Sequence, residues 1–199
     1  MRPKVVSNLP TKYGDFKIYI FKEKKKYENV VLVKGDVKNK TNILLRIHSE
    51  CLTGDVFGCQ RCDCQDQLEY SLSKIGKEGG IILYLRQEGR GIGLINKLKA
   101  YNLQDNGLDT VEANIKLGFK PDYRNYEYAS NILKYFSIKS VNLLSNNINK
   151  YNSLIENDIS VTKRIPIVLN PNIKNRKDLF LTKVKKLNHD INLHDLKHD

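Results

Sequence analysis

The sequence has no apolar run long enough to cross a bilayer. Its better stretches, such as Ile81 to Leu85, span only a few residues, where a membrane helix needs about 20. Its opening, Met1-Arg2-Pro3-Lys4, does not lead into the apolar segment of a secretory signal. A soluble, cytoplasmic protein with no membrane partner is expected. No internal repeat and no long low-complexity linker interrupts the chain. This favours one domain over residues 1–188, followed by a polar tail at 189–199 that carries Asp190, His194, Asp195, His198 and Asp199. Cysteine is missing everywhere except in one stretch, where Cys51, Cys59, Cys62 and Cys64 lie within fourteen residues. A disulfide framework spreads its cysteines to tie distant loops together, so four thiols this close point to a metal.

What is present is enough for a core. Of the 199 residues, 40% are hydrophobic, so the chain needs neither disulfides nor metal merely to fold. The formal net charge is +12, and a positive field of that size attracts nucleic acid, an anionic surface or a small polyanion such as a nucleoside triphosphate. The basic residues are spread along the chain, with concentrations at Lys22 and Lys24 to Lys26 and from Lys174 to Lys186. Solvated lysine faces account for these equally well, and charge alone does not choose the partner.

The N-terminal part reads as strands and turns, with Lys17 to Phe21 and Val30 to Val33 as strands and turn residues at Thr11 to Gly14 and Gly35-Asp36. Ile43 to Ile47 is a short apolar run that predicts a buried strand. Leu68, Leu72 and Ile75 recur at helical spacing up to Gly79-Gly80, and Ile81 to Leu85 predicts a central strand. Helices follow through Ile95, Leu98 and Tyr101, through Ala129, Ile132, Leu133 and Phe136, and through Leu154 and Ile155. Val141 to Leu144 is a further strand. Alternation from about residue 43 to 160 predicts an α/β fold: a layered mixed sheet flanked by helices, a strand-rich N-terminal part and a small cysteine-bound zinc site.

Thiolates suit zinc. A closed structural site takes four protein ligands, whereas a catalytic site keeps three and leaves one position open. Cys62-Asp63-Cys64 places two thiols closer than the two-residue gap of zinc ribbons and fingers. Spacing leaves both arrangements open, although His48, Ser49, Glu50 and Asp55 around Cys51 favour the open one.

The other concentration of chemistry is Arg86-Gln87-Glu88-Gly89-Arg90-Gly91-Ile92-Gly93, between a predicted central strand and a helix. Glycines and a helix start suit phosphate, and arginines add bidentate donors. The segment is neither a Walker loop nor a dinucleotide fingerprint. Thr110 to Asn114 and Asp122-Tyr123-Arg124 read as polar stretches between elements, the latter offering an ion pair, and Ser145-Asn146-Asn147 reads as helix capping.

Taken together, these stretches resemble the GTP cyclohydrolase II family of riboflavin biosynthesis. The resemblance runs over roughly residues 9–170, through Arg46 to Asp55, Arg61 to Cys64, Arg86 to Gly93, Asn96-Lys97, Ala100-Tyr101, Leu103 to Asp105, Asp109 to Asn114, Leu117 to Phe119, Asp122 with Arg124, and Leu144 to Asn147. It implies a catalytic zinc on Cys51, Cys62 and Cys64, with Cys59 left over. It also implies hydrolysis at C8 of guanine with Tyr101 assisting at the base, and displacement of pyrophosphate by Arg124 with Asp122 as proton acceptor. A guanidinium with a pKa above about 12 is a demanding nucleophile, so stabilising charge on the phosphate is an equal reading for Arg124. GTP contacts are implied at Arg46, Ile47, His48, Ser49, Glu50, Gln67, Glu88, Gly89, Arg90, Thr110, Ser145 and Lys150, with Glu88 reading guanine N1 and N2, magnesium on the triphosphate, and a homodimer. Gln65-Asp66 departs from the family pattern, where a glycine is expected after Cys64. One rival reading, a basic zinc module on nucleic acid, lacks zinc-finger histidine spacing and leaves the acidic and amide residues around the glycine segment unexplained, so no nucleic-acid partner is expected. A second rival, a family member performing only part of the reaction, is countered by the presence of Tyr101, Asp122 and Arg124.

Overall fold

The computed structural model describes residues 1–23 and 27–169. The basic run at Lys24 to Lys26, the one from Lys174 to Lys186 and the expected tail at 189–199 lie outside the described residues. Seven strands, β1 (Val5–Thr11), β2 (Gly14–Glu23), β3 (Tyr27–Lys34), β4 (Ile43–Ser49), β5 (Gly80–Leu85), β6 (Ser140–Leu144) and β7 (Ser160–Ile165), form one sheet in the order β1-β2-β3-β5-β4-β6-β7. The helices are α1 (Leu52–Asp55), α2 (Cys64–Glu78), α3 (Gly93–Asp105), α4 (Thr110–Lys116), α5 (Glu127–Tyr135) and α6 (Ile148–Glu156), with a 3-10 turn at Glu88–Gly91. No helix among the described residues is long and apolar enough to cross a membrane.

The sheet is mixed, as expected. β1 to β3 form an antiparallel meander that continues into β5, while β4, β6 and β7 run parallel. A short turn at Lys12-Tyr13 suffices between β1 and β2, whereas parallel neighbours need crossovers, supplied here by helices. β5 reads as an unbroken apolar run and β4 as a mostly apolar one that also buries Arg46 and His48, because both strands are central and covered on both faces. β3 instead alternates, burying Asn29, Val31 and Val33 and leaving the residues between them half-exposed. The main core joins these side chains to Leu45, Ile47, Ile81, Leu83, Val141 and Leu143 of the sheet, Ala129, Ile132 and Leu133 of α5 and Leu154 of α6. Asn29 also accepts a hydrogen bond from the Arg86 amide at 2.8 Å, fixing the chain where it leaves β5.

The residues group into two compact units. The first comprises Met1–His48, Leu68–Arg86 and Asn125–Ile167 and holds the sheet with α5 and α6; the second includes Ser49–Gln67 and Gln87–Arg124. One expectation about the second unit is corrected. Thr110 to Asn114 is a helix rather than a link between elements. Asp109 caps it by accepting from the Val111 and Glu112 amides, and Glu112 reaches back to the Asp109 amide at 2.9 Å. The helix expected through Ile95, Leu98 and Tyr101 is α3, and its apolar residues Ile95 and Leu98 point away from the core. Ile95 is 73% exposed, and the buried member of α3 is Ala100. The inward face of α3 carries Lys97 and Tyr101, because what it covers is polar.

Candidate active site and metal centre

Local structure places each thiol. Cys51 ends the path out of β4 and caps α1, its amide donating to Asp55 Oδ2 at 2.9 Å. Cys62 and Cys64 lie at the entrance to α2, whose N-terminal amides favour negative charge on sulfur. The three Sγ atoms fall within 4.8 Å of one another, and those of Cys51 and Cys62 are 3.6 Å apart. Three thiolates on one tetrahedral zinc, each about 2.3 Å from the ion, stand roughly 3.8 Å from one another, so the set fits that ion. Among the described residues no other group of metal-type ligands is brought together, and Cys59 is not part of this one.

The electrostatics suit a cation. Hydrogen bonds from Cys62 and Cys64 hold Cys51 far below the ordinary thiol range, and Lys97 adds to the effect against the cost of burial. The bond to Cys51 pushes Cys62 up to about 12, and Cys64 rises too, through its bonds to Cys51 and Cys62 and through burial. An ion that binds all three sulfurs must displace the protons they carry.

Gly54 sits under the trio. A Cβ there would lie 3.0 Å from Cys51 Sγ, 3.2 Å from Cys62 Sγ and 3.2 Å from Cys64 Cβ. Gly54→Ala is expected to push the sulfurs apart and weaken zinc binding by about 10–100-fold, the equivalent of the 1–3 kcal/mol of overpacking. Competition with a chromophoric chelator measures it, and unchanged affinity would mean the cradle is looser than it looks.

Tyr101 approaches the same cluster, its hydroxyl 3.1 Å from Thr53 Oγ1, which in turn lies 3.8 Å from Cys51 Sγ. Burial raises the Tyr101 pKa, so the phenol keeps its proton at neutral pH. Arg61 covers the ring at 4.8 Å and is held by Asp105 at 2.8 Å. Gln67 donates to Asp63 at 2.6 Å, Gln87 donates to Ser49 at 2.9 Å, Gln104 donates to Thr110 at 2.9 Å, and Glu50 is half-buried.

The glycine-rich segment joins this cluster to a second one. At its start, Glu88 Oε2 accepts from the Leu52 amide at 2.6 Å, while Oε1 accepts from Lys97 at 2.8 Å and from the Gly89 amide at 2.7 Å. Gly89 and Arg90 both adopt left-handed backbone, with φ of 61° and 58°, which turns the chain sharply. At the other end Arg90 O accepts from the Tyr123 amide at 2.9 Å, and a Cβ on Gly91 would stand 2.9 Å from Tyr123 Cβ. Tyr123 lies between Asp122 and Arg124, which form a fork in which Nε and Nη2 of Arg124 donate to the Asp122 carboxylate. Burial opposes ionisation of Asp122, but the bonds and charge of Arg124, helped by Arg90, outweigh it and lower its pKa. Asp122 is thus a carboxylate at neutral pH.

Glu88 is more committed than its expected role of reading guanine requires. A carboxylate offers about four lone-pair sites, and three are taken internally, which leaves one on Oε2. Reading both N1 and N2 of guanine means releasing either the Leu52 amide or Lys97.

In the first unit, the remaining predicted residues gather at the carboxyl ends of the parallel neighbours β4 and β6. Arg46 donates to Leu144 O at 3.1 Å, Lys150 donates to Ile47 O at 2.7 Å, and His48 stacks on Tyr84 at 5.4 Å. Ser145 Oγ accepts from the Asn147 amide at 3.0 Å, and Asn147 caps α6, as its sequence predicts. Ligands of open α/β sheets collect at such strand ends.

Sequence reasoning gave no role to Lys97 or Thr53. Both lie inside the recognised motifs, but their contacts reach across 46 and 48 positions of chain and leave no local signal.

Known proteins resemble this chain over most of its length. The family model described as GTP cyclohydrolase II matches residues 2–166. A protein named GTP cyclohydrolase-2 from Picrophilus torridus is 54% identical over 83% of this chain and 86% of its own length. One of the same name from Campylobacter hominis is 54% identical over 92% of each chain. The riboflavin biosynthesis protein RibBA of Endomicrobium trichonymphae is 50% identical over 92% of this chain, which spans 45% of that protein. The motifs, the mixed α/β fold and these relatives agree, and the chain belongs to the GTP cyclohydrolase II family.

Proposed function

We propose that this chain, in the GTP hydrolysis of riboflavin biosynthesis that its family performs, releases C8 of guanine as formate and the β and γ phosphates as pyrophosphate. The product is 2,5-diamino-6-(5-phospho-ribosylamino)pyrimidin-4(3H)-one. The observation that carries this reading is the Glu88–Gly91 turn, which ties the three-thiol cluster at one end to the Asp122–Arg124 fork at the other. Ring opening and pyrophosphate release need two different chemistries, and one turn contacts groups suited to each.

Cys51, Cys62 and Cys64 would hold a zinc ion, which would supply Lewis acidity and lower the pKa of water at the site. Tyr101, protonated at neutral pH and anchored on Thr53, donates to the base as the ring opens. Glu88 reads the guanine edge through its remaining lone pair, which leaves buried groups unpaired when adenine enters. At the phosphate end, Asp122 takes the proton as an Arg124 nitrogen attacks the α-phosphorus. The N–P bond forms as the bond to pyrophosphate breaks, and water later frees the guanylyl group. Arg46, Ile47, His48, Ser49, Glu50, Gln67, Gly89, Arg90, Thr110, Ser145 and Lys150 complete the GTP contacts, with magnesium offsetting the triphosphate charge. Homodimerisation and a cytoplasmic location belong to the same proposal.

The test is incubation of purified protein with GTP or ATP and magnesium, following formate and pyrophosphate separately, with and without a zinc chelator. Both products from GTP, formate abolished by the chelator, and no turnover of ATP are expected. Pyrophosphate without formate in zinc-loaded protein would refute the ring-opening role.

A further inference from the structure

Lys97 is the one buried cation that touches the thiol cluster among the described residues, and nothing in the reaction as set out above uses it. Its side chain is 11% exposed and that of Glu88 10%. Its Nζ lies 3.1 Å from Cys51 Sγ and 2.8 Å from Glu88 Oε1. Burying an ammonium is costly unless it is paired and hydrogen-bonded, and a lysine whose task was only to neutralise Glu88 would not need to aim at a sulfur. α3 delivers it there by presenting its polar face inward, with Ile95 and Leu98 outward.

We propose that Lys97 is a positioning residue that tunes the metal centre by donating a charge-assisted hydrogen bond to the Cys51 sulfur while clamping Glu88. This rests on the metal-site reading given above. Three thiolates around one divalent ion leave one net negative charge and push electron density onto the ion, which blunts its acidity. A cation donating to one sulfur withdraws part of that density. Ligand orientation and basicity in metal sites are commonly set by such outer partners, whose removal costs about 10–100-fold in metal affinity or activity. Because the same ammonium holds Glu88, it also fixes the carboxylate that reads the base, so the guanine edge and the metal share one anchor.

The test uses the full-length protein with cobalt in place of zinc, because the sulfur-to-cobalt charge-transfer band reports electron density on sulfur directly. Lys97→Met removes the donor, Lys97→Gln keeps a neutral donor of similar reach, and Lys97→Arg keeps both donor and charge. The band is expected to move to longer wavelength in Lys97→Met, by a smaller amount in Lys97→Gln, and to stay near its native position in Lys97→Arg. Formate release by the zinc forms should fall about 10–100-fold in Lys97→Met and recover in part in Lys97→Arg. A native band position in Lys97→Met overturns the inference. So does equal loss of cobalt binding in all three variants, which would make Lys97 a structural support only. If the unsubstituted protein shows no thiolate band with cobalt, it is the metal-site reading that fails.

Discussion

Asp122→Asn is expected to lower pyrophosphate release from GTP by about 10²–10⁴-fold, the range that a positioned general base contributes. Asp122 is held by Arg124 on both oxygens: they face Nε and Nη2 of the guanidinium, Oδ1 also accepts from the Arg124 amide at 2.9 Å, and the carboxylate stays ionised because those bonds outweigh the penalty of burial. Asparagine keeps the size and one acceptor but turns an amide toward the guanidinium. The variant therefore loses both the proton acceptor and the geometry of the fork. Thermal stability is expected to fall as well, because the pair is largely buried and the substitution leaves the Arg124 charge without its carboxylate, so rates are compared at a temperature where the variant is folded. Discontinuous measurement of pyrophosphate separates this loss from ring opening. A rate within tenfold of the native one would mean that the fork is an ordinary ion pair, the plainer meaning of its sequence.

The second large effect is expected at the thiols. Cys62→Ser should reduce zinc affinity by more than the 10–100-fold that loss of an outer partner costs, and formate release should fall with it, whereas Cys59→Ser should leave both unchanged. Serine is a hard, weakly acidic donor where a soft thiolate is needed. With Cys62 gone, Cys51 also loses the largest of the hydrogen bonds that lower its pKa. Cys59, by contrast, stands outside the trio and is tied in through its backbone amide to Thr53 O at 2.9 Å. Metal analysis of dialysed protein reads the outcome. Equal losses in Cys62→Ser and Cys59→Ser would point to a closed four-cysteine site without catalytic function.

The comparison of the two cysteines also shows what was legible in advance. Spacing identified a metal cluster but left three ligands and four equally open, because ligand count is settled by where side chains point. Central strands β4 and β5 were plain from their largely apolar runs, since burial on both faces favours that composition. α4 was hidden although Asp109 and Glu112 carry a capping-box signature; Thr-Val-Glu-Ala-Asn simply has too little apolar content to show a helical period. α3 was legible as a helix, but which of its faces turns inward was not. Periodicity counts apolar residues toward the interior, yet here the interior is a charged site, and Lys97 and Tyr101 take the inward positions while Ile95 lies in solvent. Glu88 was recognised by its motif, but its bond to the Leu52 amide, 36 positions away, belongs to tertiary structure and has no trace in local sequence.

The measurement that bears most directly on the whole account is formate released per GTP as metal-free protein is titrated with zinc, pyrophosphate being followed in the same samples. Formate should rise in proportion to zinc and stop rising at one ion per chain. Full formate release from protein verified to hold no metal, or none at one zinc per chain, would contradict the assignment of ring opening to the Cys51, Cys62 and Cys64 centre.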